Sequence, residues 1–228
     1  MGEFGSAEKL CRSALAGDPM KIVFLVLSSL FLCGNALAGT ATETLKFAIV
    51  RNGEQIGTST TNIQRNGPET VVNIATHVEV KLLGFTAYRY DHSSNERWMD
   101  GRLIALTSQT DDNGTKHHLN VDSNDNKLIA AAGGKEISLD ANTIPASLWN
   151  SKLVSQTAIL DTVDGKMKRI SVVDLGMENI SVRGQATKAR HFSTHGQLEH
   201  DLWYDEHDHL VQLQLTGSDG SVITYRLT

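Results

Sequence analysis

The part of this sequence that can fold contains no cysteine. The 228-residue chain has only Cys11 and Cys33, and both lie in its first 38 residues, which read as a leader. Disulfides, thiolate nucleophiles and cysteine-ligated zinc are therefore excluded from the domain that follows. Catalytic signatures are missing as well. There is no G-x-S-x-G elbow and no S-x-x-K motif. No Walker loop or dinucleotide fingerprint occurs, because the glycines sit in turn dipeptides and not between a strand and a helix. No cofactor is implied. Positive charge is also short: the net charge is −5. The leader's cations (Lys9, Arg12, Lys21) and anions (Glu3, Glu8, Asp18) cancel, so the folded part keeps that balance. Mild acidity argues against nucleic acid, or an anionic membrane surface, as the main partner.

The leader has its own logic. Met20-Lys21 opens a short positive region, Ile22 to Leu32 is apolar, and Ala36-Leu37-Ala38 supplies small residues for cleavage after Ala38. This is the arrangement of a secretory signal peptide over residues 20–38. The apolar run is about ten residues short of the roughly 20 that span a bilayer, so the mature chain is expected to have no transmembrane span. Leu32 precedes Cys33 where lipoprotein processing wants a small residue. Residues 1–19 lie upstream of a complete signal; an early start codon or vector-derived residues such as Glu3-Phe4-Gly5-Ser6 account for them equally well. The expected product is one domain, residues 39–228, exported to the periplasm of a Gram-negative bacterium.

That domain reads as β throughout. Val72, Ile74, Thr76, Val78, Val80 and Leu82 alternate with Asn73, Ala75, His77, Glu79 and Lys81, the period of a strand with one buried face. At roughly 3.3 Å per residue, the run from Val71 to Leu83 spans about 43 Å, a length that suits a sheet curving around something. Asx-Gly pairs at Asn52, Asn66, Asp100, Asn113, Asp164 and Asp219 punctuate alternating runs and predict tight hairpin turns. The expected fold is all-β: a strongly bent antiparallel meander sheet or open barrel. One short helix is expected over Thr143 to Val154, with Thr143 as cap and Pro145 in the first turn.

Two groups of residues suggest chemistry. His191, His195, His200, His207 and His209 crowd together with Glu199, Asp201, Asp205 and Asp208. His200, His207 and His209 are the candidate metal ligands of a hydrolase, since neutral imidazole and carboxylates make zinc shells. Exposed polar histidines satisfy the same spacing, and His117-His118 point to opposite faces. The aromatics point to binding. Tyr88, Tyr90 and Trp98 share a strand face; Trp149 lies on the expected helix, and Trp203 on a late strand. With Leu82, Leu83 and Phe85 they would line an apolar hollow inside a curved sheet. They would equally fill a packed core.

Several fragments carry a resemblance. They are Val50-Arg51-Asn52-Gly53-Glu54-Gln55-Ile56-Gly57, Val80-Lys81-Leu82-Leu83-Gly84 with Tyr88-Arg89-Tyr90, Glu96 to Leu103, and Asp201-Leu202-Trp203-Tyr204-Asp205. From Thr44 to Thr228 the chain resembles an exported bacterial family, the domain-of-unknown-function family 6134. The resemblance implies a single β-rich exported domain and carries over no catalytic residue. The function expected first is non-catalytic carriage of an apolar or amphipathic small molecule. The metal-dependent hydrolase is the second reading. An envelope scaffold that pairs a sheet edge with a partner strand is the third.

Overall fold

Two meanders built from tight turns account for the whole architecture. The computed structural model describes residues 39–228; the expected leader and signal peptide, 1–38, lie outside the described residues. The first meander has eight strands: β1 (Ala41–Arg51), β2 (Glu54–Asn66), β3 (Glu69–Leu82), β4 (Phe85–Met99), β5 (Arg102–Asp112), β6 (Thr115–Asn124), β7 (Lys127–Ala132) and β8 (Lys135–Asp140). The second has six: β9 (Ala158–Leu160), β10 (Met167–Val182), β11 (Gln185–Gly196), β12 (His200–Tyr204), β13 (Leu210–Thr216) and β14 (Val222–Leu227). β1 pairs with β14, from Phe47 opposite Leu227 to Arg51 opposite Ile223. That pairing joins the meanders into one 14-stranded antiparallel sheet whose ends are β8 and β9. The sheet curls but does not close, since β8 and β9 do not pair.

Turn chemistry follows the sequence. Asn52, Asp100 and Asn113 adopt positive φ, as do the glycines that follow them; Asn and Asp tolerate that region and glycine enters it freely. The curl depends on bulges and on one close approach. β2 carries a bulge at Ile56, next to Gly57, opposite Ile49 and Val50 of β1. A Cβ on Gly57 would lie 2.1 Å from the His77 carbonyl oxygen, so the chains bend there only because the side chain is absent.

The concave face of both meanders packs into one core. Leu106, Leu119, Val121, Leu128, Ile159, Leu160, Ala189 and Leu202 are all fully buried in it. The linker between β8 and β9 crosses the inside of the curl. The expected helix over Thr143 to Val154 is reduced to a single 3-10 turn, Ser151–Ser155, capped by the Asn150 side chain, which accepts from the Lys152 N–H. Pro145 does not start a helix; it forms an isolated bridge to Leu160. Leu148 sits at φ +66, which breaks helical continuity between Pro145 and the turn. The linker acts as an internal plug. The Tyr204 hydroxyl donates to the Leu148 carbonyl at 2.8 Å, and the Ser108 hydroxyl donates to the Thr162 carbonyl. Gly165 lies against Leu119 and Ala132.

Both sheet edges carry blunting features, although the open stretch of β10 also exposes Val173, Leu175 and Met177. β9 covers only Met167–Arg169 of β10, leaving most of that strand without a neighbour on one side. There β10 carries a bulge at Leu175 and the charges Asp174 and Glu178. β8 presents Lys135 and Glu136. Bulges and charge are the usual devices that stop an edge from recruiting another strand.

Candidate functional site

The inward face of β4 reads Tyr90, His92, Ser94, Glu96, Trp98, and three of these five residues are polar. Strand parity puts them all on the concave side. Ser94 and Glu96 are buried there, as are Ser59 and Thr61 on β2 and Ser108 and Thr110 on β5. An apolar core fills one half of the curl; in the other half Ser59, Thr61, Tyr90 and His92 of this band line a hollow.

The deep part of that hollow is a cavity of about 220 Å³. Its walls include Tyr90, His92, Asp161, His200 and Tyr225, with Ser59, Thr61 and Thr76 between them. Ala146, Ser147 and Leu148 of the plug close one side. At ~30 Å³ per water, it has room for about seven waters or a small polar head. Both histidines are held neutral. Burial pushes the His200 pKa down to about 4 and lowers that of His92, against a weaker opposing pull from Asp201 and Asp161 respectively. His92 Nδ1 has the Thr110 hydroxyl as partner at 2.8 Å, whereas His200 Nδ1 is buried with none. The Ser147 hydroxyl, by contrast, is directed to the buried Glu96 carboxyl and helps hold down its pKa. Buried polar atoms are ordinarily satisfied, so unsatisfied ones facing a cavity mark where a ligand or water belongs. Burial also pushes the Tyr225 phenol up to about 12 and raises Tyr90, so both stay neutral donors.

A second, apolar hollow of about 640 Å³ opens beyond the tyrosines. Ile56, Val78, Val80, Tyr88, Leu215 and Ile223 line it, and Leu215 borders the deep cavity as well. Ile49, Ile56 and Val78 form a core cluster of their own here, with Tyr90, Ile223 and Tyr225 packed on it. Polar groups stand at its rim. The Tyr88 hydroxyl donates to Asp112 at 2.8 Å, and Arg51 pairs with Asp219 while its Nε donates to the Ser221 hydroxyl at 2.8 Å. The Ser221 hydroxyl and N–H, with Arg51, hold the Asp219 carboxyl down to about 2.

The expected lining residues fall into separate places. Tyr88 and Tyr90 stand at the apolar hollow and at its boundary with the deep cavity. Leu82 and Phe85 lie at the exposed tip of the β3–β4 hairpin, 66% and 79% exposed. Trp98 and Trp149 pack edge to face at 5.5 Å, and their indole N–H groups both donate to one oxygen of buried Glu96, at 2.9 and 2.8 Å. Burial pushes the Glu96 carboxyl pKa up, and the Ser147 hydroxyl and the two indoles partly offset it. Trp203 stacks on His191 at 4.1 Å on the opposite sheet face, its indole donating to Glu178.

The expected metal ligands do not converge. His200 lines the deep cavity. His209 reaches Glu43 and Asp205, and the exposed His207 lies near Glu206. Among the described residues, no group of three His, Asp or Glu side chains could hold a metal ion. Sequence reasoning missed His92, Ser94 and Glu96 on β4, of which only His92 lines the deep cavity, and the cavity residues Asp161 and Tyr225. The period-two rule that joined Tyr90 to Trp98 already placed the first three on the same face.

A hollow of about 660 Å³ also lies across the outer face of β2–β6, with His77, Asp91, Gln109, Asp111 and His118 among its walls. His77 Nδ1 lies 2.6 Å from Asp91, and Arg89 donates to the same carboxylate at 2.7 Å. Those solvated groups satisfy one another, so this groove lacks the unpartnered buried atoms of the inner site.

The chain belongs to the family described as a domain of unknown function (DUF6134), whose profile matches residues 47–228. No curated protein matches the sequence. Among solved structures it is similar to a β-barrel-like protein of domain of unknown function DUF1849 from Brucella abortus. The TM-score is 0.58 at 10% identity, covering 84% of this chain and 96% of that one. At that identity the likeness concerns the fold alone.

Proposed function

We propose that this member of the DUF6134 family is an exported, non-catalytic carrier of an amphipathic small molecule in the periplasm. The molecule's polar head occupies the deep cavity, and its apolar portion lies in the hollow walled by Ile56, Val78, Val80, Leu215 and Ile223. The observation that carries this reading is the unpartnered, buried, neutral His200 Nδ1 facing a polar cavity that adjoins an apolar one. The combined space falls in the range of roughly 300–1,000 Å³ typical of small-molecule sites, which are mostly apolar with a few placed polar groups. The head is an uncharged hydrogen-bonding group such as a hydroxyl or amide. Neutral imidazoles and phenols beside Asp161 offer no cation to hold a phosphate or carboxylate.

Native mass spectrometry of the mature protein, taken from the periplasm without a histidine tag, tests the reading. The expected spectrum shows an adduct of several hundred daltons released by organic solvent, and reduced occupancy in Thr61→Trp, which fills the cavity. A stoichiometric metal adduct in place of the organic mass would contradict it.

A further inference from the structure

The β3–β4 hairpin outruns both of its neighbours. β2 pairs with β3 only as far as Gly57 opposite Val78, and β5 pairs with β4 only from Asp112 opposite Tyr90. Glu79 to Arg89 therefore forms a two-stranded finger that extends about 13 Å past the sheet, at roughly 3.3 Å per residue. Ala87 has no partner in the register, so a bulge twists the finger just behind its end. The end is apolar: Leu82, Leu83 and Phe85 are 66%, 91% and 79% exposed. Between Val80 and Tyr88 the only formal charge is Lys81.

The turn itself shows a second anomaly. Leu83 stands at φ +51, and among the described hairpin turns it is the only apolar residue other than glycine with positive φ. Asn52, Asp100, Asn113 and Asp125 fill the equivalent place in four other hairpins, and the polar Arg183 in the β10–β11 hairpin. A branched apolar side chain is disfavoured in that conformation, where asparagine would be stabilising. The chain accepts both local backbone strain and exposed apolar surface at one point, on a hairpin too short to be stable by itself. Structural need explains neither.

We infer that this finger is a membrane anchor whose Leu82, Leu83 and Phe85 insert into the interfacial region of a phospholipid bilayer. The tip is convex and protruding, so it needs a deformable receiver and not a matching surface. A net charge of −5 supplies no long-range attraction, which leaves apolar insertion as the binding force. Behind the tip the finger turns polar: Lys81 pairs with Glu79 at 3.1 Å and the Tyr88 hydroxyl donates to Asp112 at 2.8 Å, so the apolar end is bounded by groups suited to the headgroup level. Val80, Ala87 and Tyr88, at the base of the finger, wall the apolar hollow, so docking would hold the opening of the site at the bilayer surface. The anchor does not require the carrier reading, but it would serve it.

Flotation of the tag-free mature protein with phosphatidylcholine vesicles tests the anchor. The wild type is expected to float with the vesicles at high and low salt alike. Leu83→Asn is expected to lower the partition about tenfold, since it removes buried apolar area, while leaving the melting temperature equal or higher. The combined Leu82→Ser, Leu83→Asn, Phe85→Ser variant is expected to remain in the aqueous phase. A wild type that does not float, or that floats no more than the triple variant, would overturn the anchor. So would a wild-type dimer in sedimentation that the triple variant dissolves without any vesicle binding, since a second copy would then be the occupant. Cargo in native mass spectra is read separately, so loss of flotation with retained cargo would sink the anchor and leave the carrier standing.

Discussion

His200 illustrates how a single side chain can be buried at a cost to stability and still make sense. Its ring is neutral when folded, with a pKa pushed to about 4 from 6.5, while in the unfolded chain it would protonate near the ordinary value. The unfolded state therefore binds more protons between those two limits. Stability is fully present above pH 6.5 and falls as the pH drops toward 4, by up to about 1.4 kcal/mol per pH unit for this one group. His92, lowered by burial in the same cavity, acts in the same direction. Chemical denaturation of His200→Leu between pH 7 and 4.5 is expected to show a shallower loss than the wild type. An unchanged slope would mean that the ring is already solvated and the cavity open. The same substitution removes the unpartnered acceptor, so it should also weaken binding of a hydroxyl-headed ligand.

At the scale of elements, the plug between β8 and β9 makes this curl more than a bent sheet. Glu96 ties it in place: one carboxylate oxygen on β4 accepts from Trp98 on the same strand and from Trp149 on the plug. Burial raises the Glu96 pKa, so the folded state holds its proton more tightly than the unfolded one. Its sign is opposite to that of His200, because stability is present below about 4.5 and is lost as the pH rises through the folded pKa. Glu96→Gln retains a carbonyl oxygen that can accept from both indoles and carries no charge. Thermal melts at pH 8 should place it at or above the wild type. Glu96→Leu leaves two indole N–H groups buried without an acceptor and should cost about 2–6 kcal/mol at 1–3 kcal/mol per orphaned group. Equal stability for the Leu variant would show that the plug is not anchored through this residue.

Over the whole molecule, the sequence was legible where the physics is local. Alternation at Val72 to Leu82 and the Asx-Gly pairs announced long strands and tight turns, and the strands and turns are there. The helix expected over Thr143 to Val154 does not form, because cap and proline signals are local while Leu148 at positive φ and the Pro145 bridge to Leu160 are set by the sheet around them. The pairing of β1 with β14, which brings Tyr225 beside Tyr90, depends on contacts between the two ends of the domain and left no local trace. The site was half legible. Tyr88 and Tyr90 were on the right face. Searching by aromatic residue passed over His92, Ser94 and Glu96 between them, and spread Trp98, Trp149 and Trp203 over a hollow they do not share. The histidine cluster was grouped by proximity in sequence; strand parity separates His191 from His200, while His207 and His209 stay neighbours in the β12–β13 turn.

The central claim is that the polar cavity and its apolar extension form one ligand site. Nuclear magnetic resonance titration of the labelled mature protein with a monoacylglycerol, kept below its micelle concentration, tests it most directly. Saturable shifts of the His92 and His200 rings are expected together with those of the methyl groups of Val80, Leu215 and Ile223. Shifts confined to His77 and His118 on the outer face, or none at all, would contradict it.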